Sequence, residues 1–336
     1  MSFILLITHS RDFYTIDKVE QHLRIAGYQT IRFNVDQYPT QVHLDFQHMN
    51  GGCVEKYLHI NGNEYPVDQI KGIWYRRLWK LQMPDDLDPE YASYCTNEAS
   101  THLQNFLHLM EDSLWLDPLH LVERAGNKLY QTEQARRVNM PMPATLVSNN
   151  PQRIESFFYQ VNGKMITKMQ TVLSVTMGGN GAAFRTSKVE EADLKELQSV
   201  QYCPMIFQEE VAKLAEYRVV YVDGQFFCGK ILNEELTSNS PDIKSNSQVN
   251  WRIGDLPAAL KIKVTHLMQN LELQFGVMDF VETPDHSFVF LEVNPIGEWG
   301  MLEKELNLPI SHAIAQTLIR KIKQYEESTY HHTSER

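Results

Sequence analysis

Cysteine is scarce in this 336-residue chain: there are 4, at positions 53, 95, 203 and 228. They lie far apart and form no C-x-x-C pair, which excludes a disulfide framework and a zinc knuckle and fits a reducing compartment. Positive charge is also short. The chain has 31 basic residues against 42 acidic ones, a net −11, so the broad basic footprint that nucleic-acid binding needs is missing. No stretch approaches the roughly 18 uninterrupted apolar residues of a membrane span. The opening MSFILLITHS holds a short apolar run without a basic lead. That is too short for a secretion signal and reads as a first strand. No internal repeat is visible. The expectation is a cytoplasmic protein that contacts neither nucleic acid nor membrane.

What is present is ordinary globular composition, 43% apolar and 22% charged, in a chain long enough for two or three packed units. The fold class is α/β, with α+β parts. Residues 1–115 alternate buried-strand runs (Phe3 to Ile7, YQTIRFNVD, IKGIWYRRLW) with helical spacing and a meander that turns at Asn61-Gly62. Residues 116–205 hold a helix over Asn127–Val138, ended by NMPMP, another with Pro151 in its first turn, and a strand from Lys164 into the glycine-rich TMGGNG. Residues 206–325 begin at the MIFQEE strand. They continue through the YRVVYVDGQFFCGKIL hairpin, a long helix from Leu256 and the hairpin GVMDFVETPDHSFVFLEV, and end in a helix that stops near Tyr325. Residues 326–336 read as a disordered tail.

The last hairpin carries the first chemical signal. Its strand ends in FLEVNP, an acid and an amide two residues apart before a proline. Closing the turn by pairing Thr283 with His286 places Asp279 opposite Phe290 and diagonal to Glu292. Asp279, Glu292 and Asn294 then share one face. Two carboxylates and an amide oxygen form an oxygen-only set suited to Mg²⁺, and the lack of His or Cys counts against zinc. The plainer alternative is three polar residues on a solvated face.

Four stretches in this order resemble the ATP-grasp superfamily: NKLYQTEQARRVNMPMPATL; MITKMQ with TMGGNG; MIFQEEV followed by EYRVVYVDGQ; and GVMDFVETPDHSFVFLEVNPIGE. The resemblance implies an ATP-grasp fold with an N-terminal Rossmann-like pre-ATP-grasp domain (1–115), a small central subdomain (116–205) and a C-terminal subdomain with hinge and metal site (206–325). It implies ATP and Mg²⁺ as cofactors. Lys128 and Lys168 would meet phosphate oxygens as point charges; the alternative is two surface lysines. Lys168, in a largely apolar strand, is the costlier charge to leave without a role. Gly178, Gly179 and Gly181 would let backbone N–H groups approach phosphates. Backbone groups around Glu209, Glu210 and Val211 would meet the adenine edge, with Gln208 nearby. Glu216 and Arg218 match the family's acid-x-Arg. Arg218 and Lys168 are then the catalytic cations, and the alternative for Arg218 is a cross-strand ion pair. Two departures are Glu210, where relatives often carry an aromatic or aliphatic residue, and Lys213, where some carry a ribose-binding acid.

Over nearly the whole chain, LLITHSRDFYTIDKV, RFNVDQYPT, IWYRRLW, SNNP and LEVNPIGEW resemble the ligases that tailor microviridin-type ribosomal peptides. THSRDFYTID and EVNPIGEW lean toward the paralogue that forms ω-amides (lactams) from lysine. Such an enzyme must supply a base or a desolvating pocket, because recovering a neutral lysine amine at pH 7 costs about 4.6 kcal/mol. The implied partner is a ribosomal precursor peptide with a helical leader, and a homodimer is expected by analogy. The segment matching the leader-binding helix is VEEADLKELQ. There Asp193 and Glu196 share a face and could meet a leader arginine, or form a solvated surface. Arg76 and Arg77 could meet acidic core residues of the peptide. As strand neighbours they should point to opposite faces, and a structural ion pair is the competing role. Rival functions are the ester-forming paralogue, a glutathione-synthetase-like or glutamate-adding ligase, and a non-catalytic nucleotide-binding module.

Overall fold

The structure is a computed structural model. It describes residues 2–52, 54–77, 80–110, 113–170, 186–233 and 250–333, the last of these as backbone alone from 329. The chain opens with β1 (Phe3–Thr8), α1 (Tyr14–Ile25) and β2 (Gln29–Asn34). A meander follows of β3 (Val42–His48), β4 (Val54–Ile60) and β5 (Asn63–Pro66), then β6 (Ile70–Tyr75), α2 (Pro89–His108) and β7 (Leu114–Trp115). A parallel sheet runs in the order β2-β1-β6-β7. The apolar run of β1 reflects burial on both faces, as parallel strands require. Ile4 and Leu6 share a core with Ile16, Val19 and Leu23 of α1. Leu5 and Ile7 share another with Leu103 and Phe106 of α2 and with Leu44 and Leu58 of the meander.

Next come α3 (Leu119–Gly126), α4 (Lys128–Arg137), β8 (Thr145–Ser148), α5 (Pro151–Gln160), β9 (Met165–Lys168), β10 (Ser187–Val189), a 3₁₀ segment over Glu191–Tyr202 and β11 (Met205–Glu209). Local sequence sets both helix starts. The Asn127 side chain accepts the N–H groups of Leu129 and Tyr130, and Asn150 accepts that of Arg153 with Pro151 in the first turn. The strands pair antiparallel as β10-β9-β11-β8. β11, which the sequence reading set at the start of the last unit, therefore pairs within the middle sheet. Alternation in MIFQE marks a strand but does not say which strands it pairs with.

The third sheet is antiparallel, in the order β14-β13-β12-β15-β16, from β12 (Ala215–Val222), β13 (Gln225–Leu232), β14 (Arg252–Ile253), β15 (Phe275–Glu282) and β16 (Phe288–Asn294). One face packs on α6 (Ala258–Leu271): Val219, Tyr221, Met278 and Phe280 meet Val264, Leu267, Met268 and Leu271. On the other face Val220, Val222, Phe275 and Val277 join the core of β1 and α1. That core also takes in α7 (Gly300–Leu306) through Leu302, and α8 (Ile310–Thr333). α8 does not stop near Tyr325. No Gly or Pro interrupts the run from Lys323, and the backbone stays helical to Thr333. Among the described residues no helix is long and apolar enough to cross a membrane.

Asp117, just after β7, ties the first sheet to the third. Its buried carboxylate accepts the N–H groups of Gln274 at 2.6 Å and Phe275 at 3.0 Å, at the start of β15. Burial pushes this carboxyl up to about 7, against the opposing pull of the two N–H donors and of the Lys321 ammonium. A folded-state pKa above the unfolded one means the folded protein holds the extra proton between about 4 and 7. Stability should thus fall as pH rises through that window. We expect the melting temperature to decline over this range and the decline to flatten in Asp117→Asn. That variant should also lose about 1–3 kcal/mol, since one amide oxygen replaces two acceptors; urea unfolding across pH checks both.

Candidate active site

The third sheet divides one of its own faces. At one end Val220, Val222, Phe275 and Val277 are apolar and buried; at the other the same face carries Glu216, Arg218, Asp279, Glu292 and Asn294. Alternation fixes this, since residues two apart share a face. Register aligns the charges: Arg218 lies opposite Asp279 on the neighbouring strand, and Asp279 lies opposite Glu292. The sequence expectation of Asp279 opposite Phe290 is therefore corrected by two residues. One residue comes from the turn. Thr283 pairs with Ser287, leaving Pro284, Asp285 and His286 in the loop, with His286 at φ +62°, the left-handed residue that such a loop requires. The second comes from a bulge: Asp279 faces Glu292 while Phe280 faces Phe290, so Leu291 is the extra residue. Two single-residue shifts restore parity, so Asp279, Glu292 and Asn294 still share a face.

The charges are met in pairs. Arg218 Nε lies 3.1 Å from Asp279 Oδ1 and its Nη2 3.4 Å from Oδ2. Arg218 is buried. Burial disfavours its charge, but the Asp279 carboxylate and its hydrogen bonds hold the guanidinium above its ordinary value, with Glu292 and Glu298 adding to the effect. Lys128 Nζ lies 2.9 Å from Glu292 Oε2. Lys128 occupies the first position of α4, where the helix dipole disfavours a cation, so the carboxylate offsets an unfavourable placement. Asn294 Oδ1 accepts the Ile296 N–H at 3.1 Å, which fixes the amide at the strand end. Glu216, also buried, pairs with Lys213 at 2.6 Å. Two opposed carboxylates, an amide oxygen and cations already drawn to them are the donor set and polarity that Mg²⁺ would require. Among the described residues no three His, Cys, Asp or Glu side chains converge as a metal site, so the amide would have to complete this set.

Lys128, Lys168, Gln208 and Glu292 line one narrow cleft with Thr145, Val147, Ile206 and Phe290, with about 30 Å³ wide enough for water. Gln208 Nε2 donates to Thr145 Oγ1 at 2.9 Å. The Glu209 and Glu210 N–H groups bond to Ala144 O at 2.9 Å and Lys164 O at 2.8 Å. They join the hinge to the middle sheet. The Glu210 side chain pairs with Lys188. Val211 follows in the unpaired segment that leads to β12. Gly178, Gly179 and Gly181 lie outside the described residues. Asp193 and Glu196 are exposed on the 3₁₀ segment, away from this cleft in the chain's middle sheet unit, and Asp193 closes a capping box with Glu190.

Arg76 and Arg77 correct the strand argument. β6 ends at Tyr75, and the N–H groups of both arginines reach Ile7 O, at 2.9 and 3.3 Å. Beyond the strand they no longer alternate, and both approach Glu298 Oε2, at 2.6 Å from Arg76 and 3.6 Å from Arg77. Arg76 is only 2% exposed. It also donates to Ile296 O at 3.0 Å and lies 3.7 Å from Asp12. Buried in this ion pair, the competing role that the sequence reading named, it anchors the loop that leaves Asn294. Glu298 Oε1 accepts the Trp299 and Gly300 N–H groups at the start of α7.

Residues 3–123 match the family model described as the MvdD pre-ATP grasp domain. The structure superimposes on macrocyclase MdnB from Microcystis aeruginosa MRC with TM-score 0.80 and 39% identity, over 95% of this chain and 99% of that one. Macrocyclase MdnC from the same organism, bound with precursor peptide MdnA, gives TM-score 0.84 and 30% identity over the same shares. The chain belongs to the ATP-grasp macrocyclase family. An ATP-grasp ligase associated with ribosomal peptides in Chryseobacterium gregarium, in complex with ADP and a leader and core peptide, gives TM-score 0.87 and 28% identity over 96% and 97%. No curated protein sequence matches the chain.

In this ATP-grasp macrocyclase two residues near the charge row escaped sequence reasoning. Glu298 lies within the quoted NPIGEW, but only the fold brings arginines to it. Gln131, one turn after Lys128, carries no signal beyond its helical spacing, yet it is buried against β16. The Arg76 anchor is testable by urea unfolding. Arg76→Met should cost about 2–3 kcal/mol, because Ile296 O loses a buried donor while the half-exposed Glu298 can rehydrate.

Proposed function

We propose that this ligase uses ATP and Mg²⁺ to close rings within a ribosomal precursor peptide, joining Glu or Asp side chains to a lysine amine as ω-amides. The observation that carries the reading is the row Arg218, Asp279, Glu292 and Lys128 across adjoining elements, with Lys168 and Gln208 in the cleft beside it. Asp279, Glu292 and Asn294 would hold Mg²⁺, which neutralises and orients phosphate oxygens when bound. Lys128, Lys168 and Arg218 would meet the phosphates, the guanidinium as a two-pronged donor. Gln208 and the hinge around Val211 would border the adenine.

In the reaction a peptide carboxylate oxygen attacks the γ-phosphorus and ADP leaves, giving an acyl phosphate. The lysine nitrogen then attacks the acyl carbon, phosphate leaves, and the nitrogen gives up a proton. Arg218 and Lys168 would stabilise the charge on the transferring group. The precursor as substrate is supported by the MdnC and Chryseobacterium complexes, which hold a precursor peptide and a leader with core peptide. Asp193 and Glu196, three apart on a 3₁₀ segment and hence eclipsed, would receive the leader helix. The amide product rests on the likeness of THSRDFYTID and EVNPIGEW to the lactam-forming paralogue. The enzyme would work in the cytoplasm, with which the free Cys95, Cys203 and Cys228 are consistent, and as a homodimer by analogy with such ligases.

The test is incubation with ATP, Mg²⁺ and a microviridin-type precursor, followed by peptide mass. A loss of water that survives mild alkali is expected. An alkali-labile loss would assign the ester product, a mass gain would assign addition of an amino acid, and an unchanged peptide would remove the cyclase reading. Asp279→Ala and Glu292→Ala should each abolish ADP release; near-normal release by both would refute their metal role.

A further inference from the structure

β16 is an edge strand, so its outer backbone groups need partners from elsewhere. At Val293, between Glu292 and Asn294, the partner is a side chain. Gln131 of α4 donates from Nε2 to Val293 O at 2.7 Å and accepts the Val293 N–H at Oε1, 3.2 Å away. The amide thus stands in for the next strand. The same Nε2 donates to Ala125 O at 2.5 Å, at the end of α3. Gln131 is 2% exposed and satisfied on both ends, so only one orientation of its amide meets all three partners.

Both flanking residues follow from this clamp. With the Val293 peptide fixed, Glu292 and Asn294 leave the backbone on the opposite face from Val293, at a set spacing. One turn earlier on α4, Lys128 meets Glu292, and three residues along a helix bring two side chains to the same side. A single helix therefore sets the backbone between the two oxygen donors and presents the cation that faces one of them.

We propose that Gln131 is a positioning residue for the metal site. It does not touch the metal; it holds Glu292 and Asn294 at the separation that joint coordination with Asp279 needs. This rests on the reading of Asp279, Glu292 and Asn294 as Mg²⁺ ligands. Groups that orient ligands in this way typically account for 10–100-fold in metal affinity.

The experiment measures binding, not turnover. Mg²⁺ is titrated against the full chain at fixed ADP, and the rise in melting temperature gives a midpoint. Gln131→Met, close in size and without hydrogen bonds, should raise that midpoint about 10-fold or more. Gln131→Glu, which keeps the acceptor for the Val293 N–H but loses the donor to Val293 O, should give a smaller rise, and it serves if the methionine variant does not fold. Asp117→Asn, a destabilising change at a backbone tether that makes no contact with Gln131 or the three oxygen donors, should lower the melting temperature and leave the midpoint alone. Asp279→Ala should remove the Mg²⁺ response. A wild-type midpoint in both Gln131 variants, with the response lost in Asp279→Ala, would overturn the positioning role and leave the metal reading standing. An unchanged response in Asp279→Ala would overturn both.

Discussion

A row of charge in which two facing carboxylates are flanked by cations, Arg218 to Asp279 to Glu292 to Lys128, is what the site depends on. A buried guanidinium beside carboxylates is costly to desolvate and tolerable only when its partners are close and fixed. The sheet meets that condition by cross-strand register, which sets Arg218 and Asp279 directly opposite each other. The same face turns apolar further along the strands, where Val220, Val222 and Val277 enter the core shared with β1 and α1. One sheet face thus does two jobs: its apolar end secures the first unit and its charged end brings Glu292 to the cleft.

The strand end that carries Glu292 and Asn294 is held from three directions. Gln131 pairs with the Val293 backbone, Pro141 O accepts the Phe290 N–H at 2.8 Å, and Arg76 reaches across from the first sheet to Ile296 O and Glu298. The anchors come from different parts of the chain. The geometry of these side-chain oxygens is therefore a property of the assembled molecule, and the first unit contributes to it although it supplies none of the proposed Mg²⁺ ligands.

Much of the site was legible because parity is a local property. Asp279, Glu292 and Asn294 were assigned to one face from alternation and an assumed Thr283–His286 turn, and they share it. The register was not legible, since a three-residue loop and a bulge at Leu291 each added a residue. Parity survived only because the two additions cancelled. Helix starts at Asn127 and Pro151 were readable from capping chemistry, and the lysines at 128 and 168 from their place in an ordered set of motifs. The role of Arg76 was not readable, because alternation says where a strand side chain points but not where the strand ends.

By itself, then, the sequence determined the classes of element, the shared face of Asp279, Glu292 and Asn294, and the likeness to a peptide-ligating family. These rest on residue type and short-range spacing. Only the tertiary structure decided that β11 closes the middle sheet, that Arg76 is an anchor buried against Glu298, that Arg218 faces Asp279, and that Gln131 completes the edge of β16. Each of these is a pairing between residues distant in the chain. Such pairings depend on packing and on the demand that buried polar groups find partners, which no local pattern records.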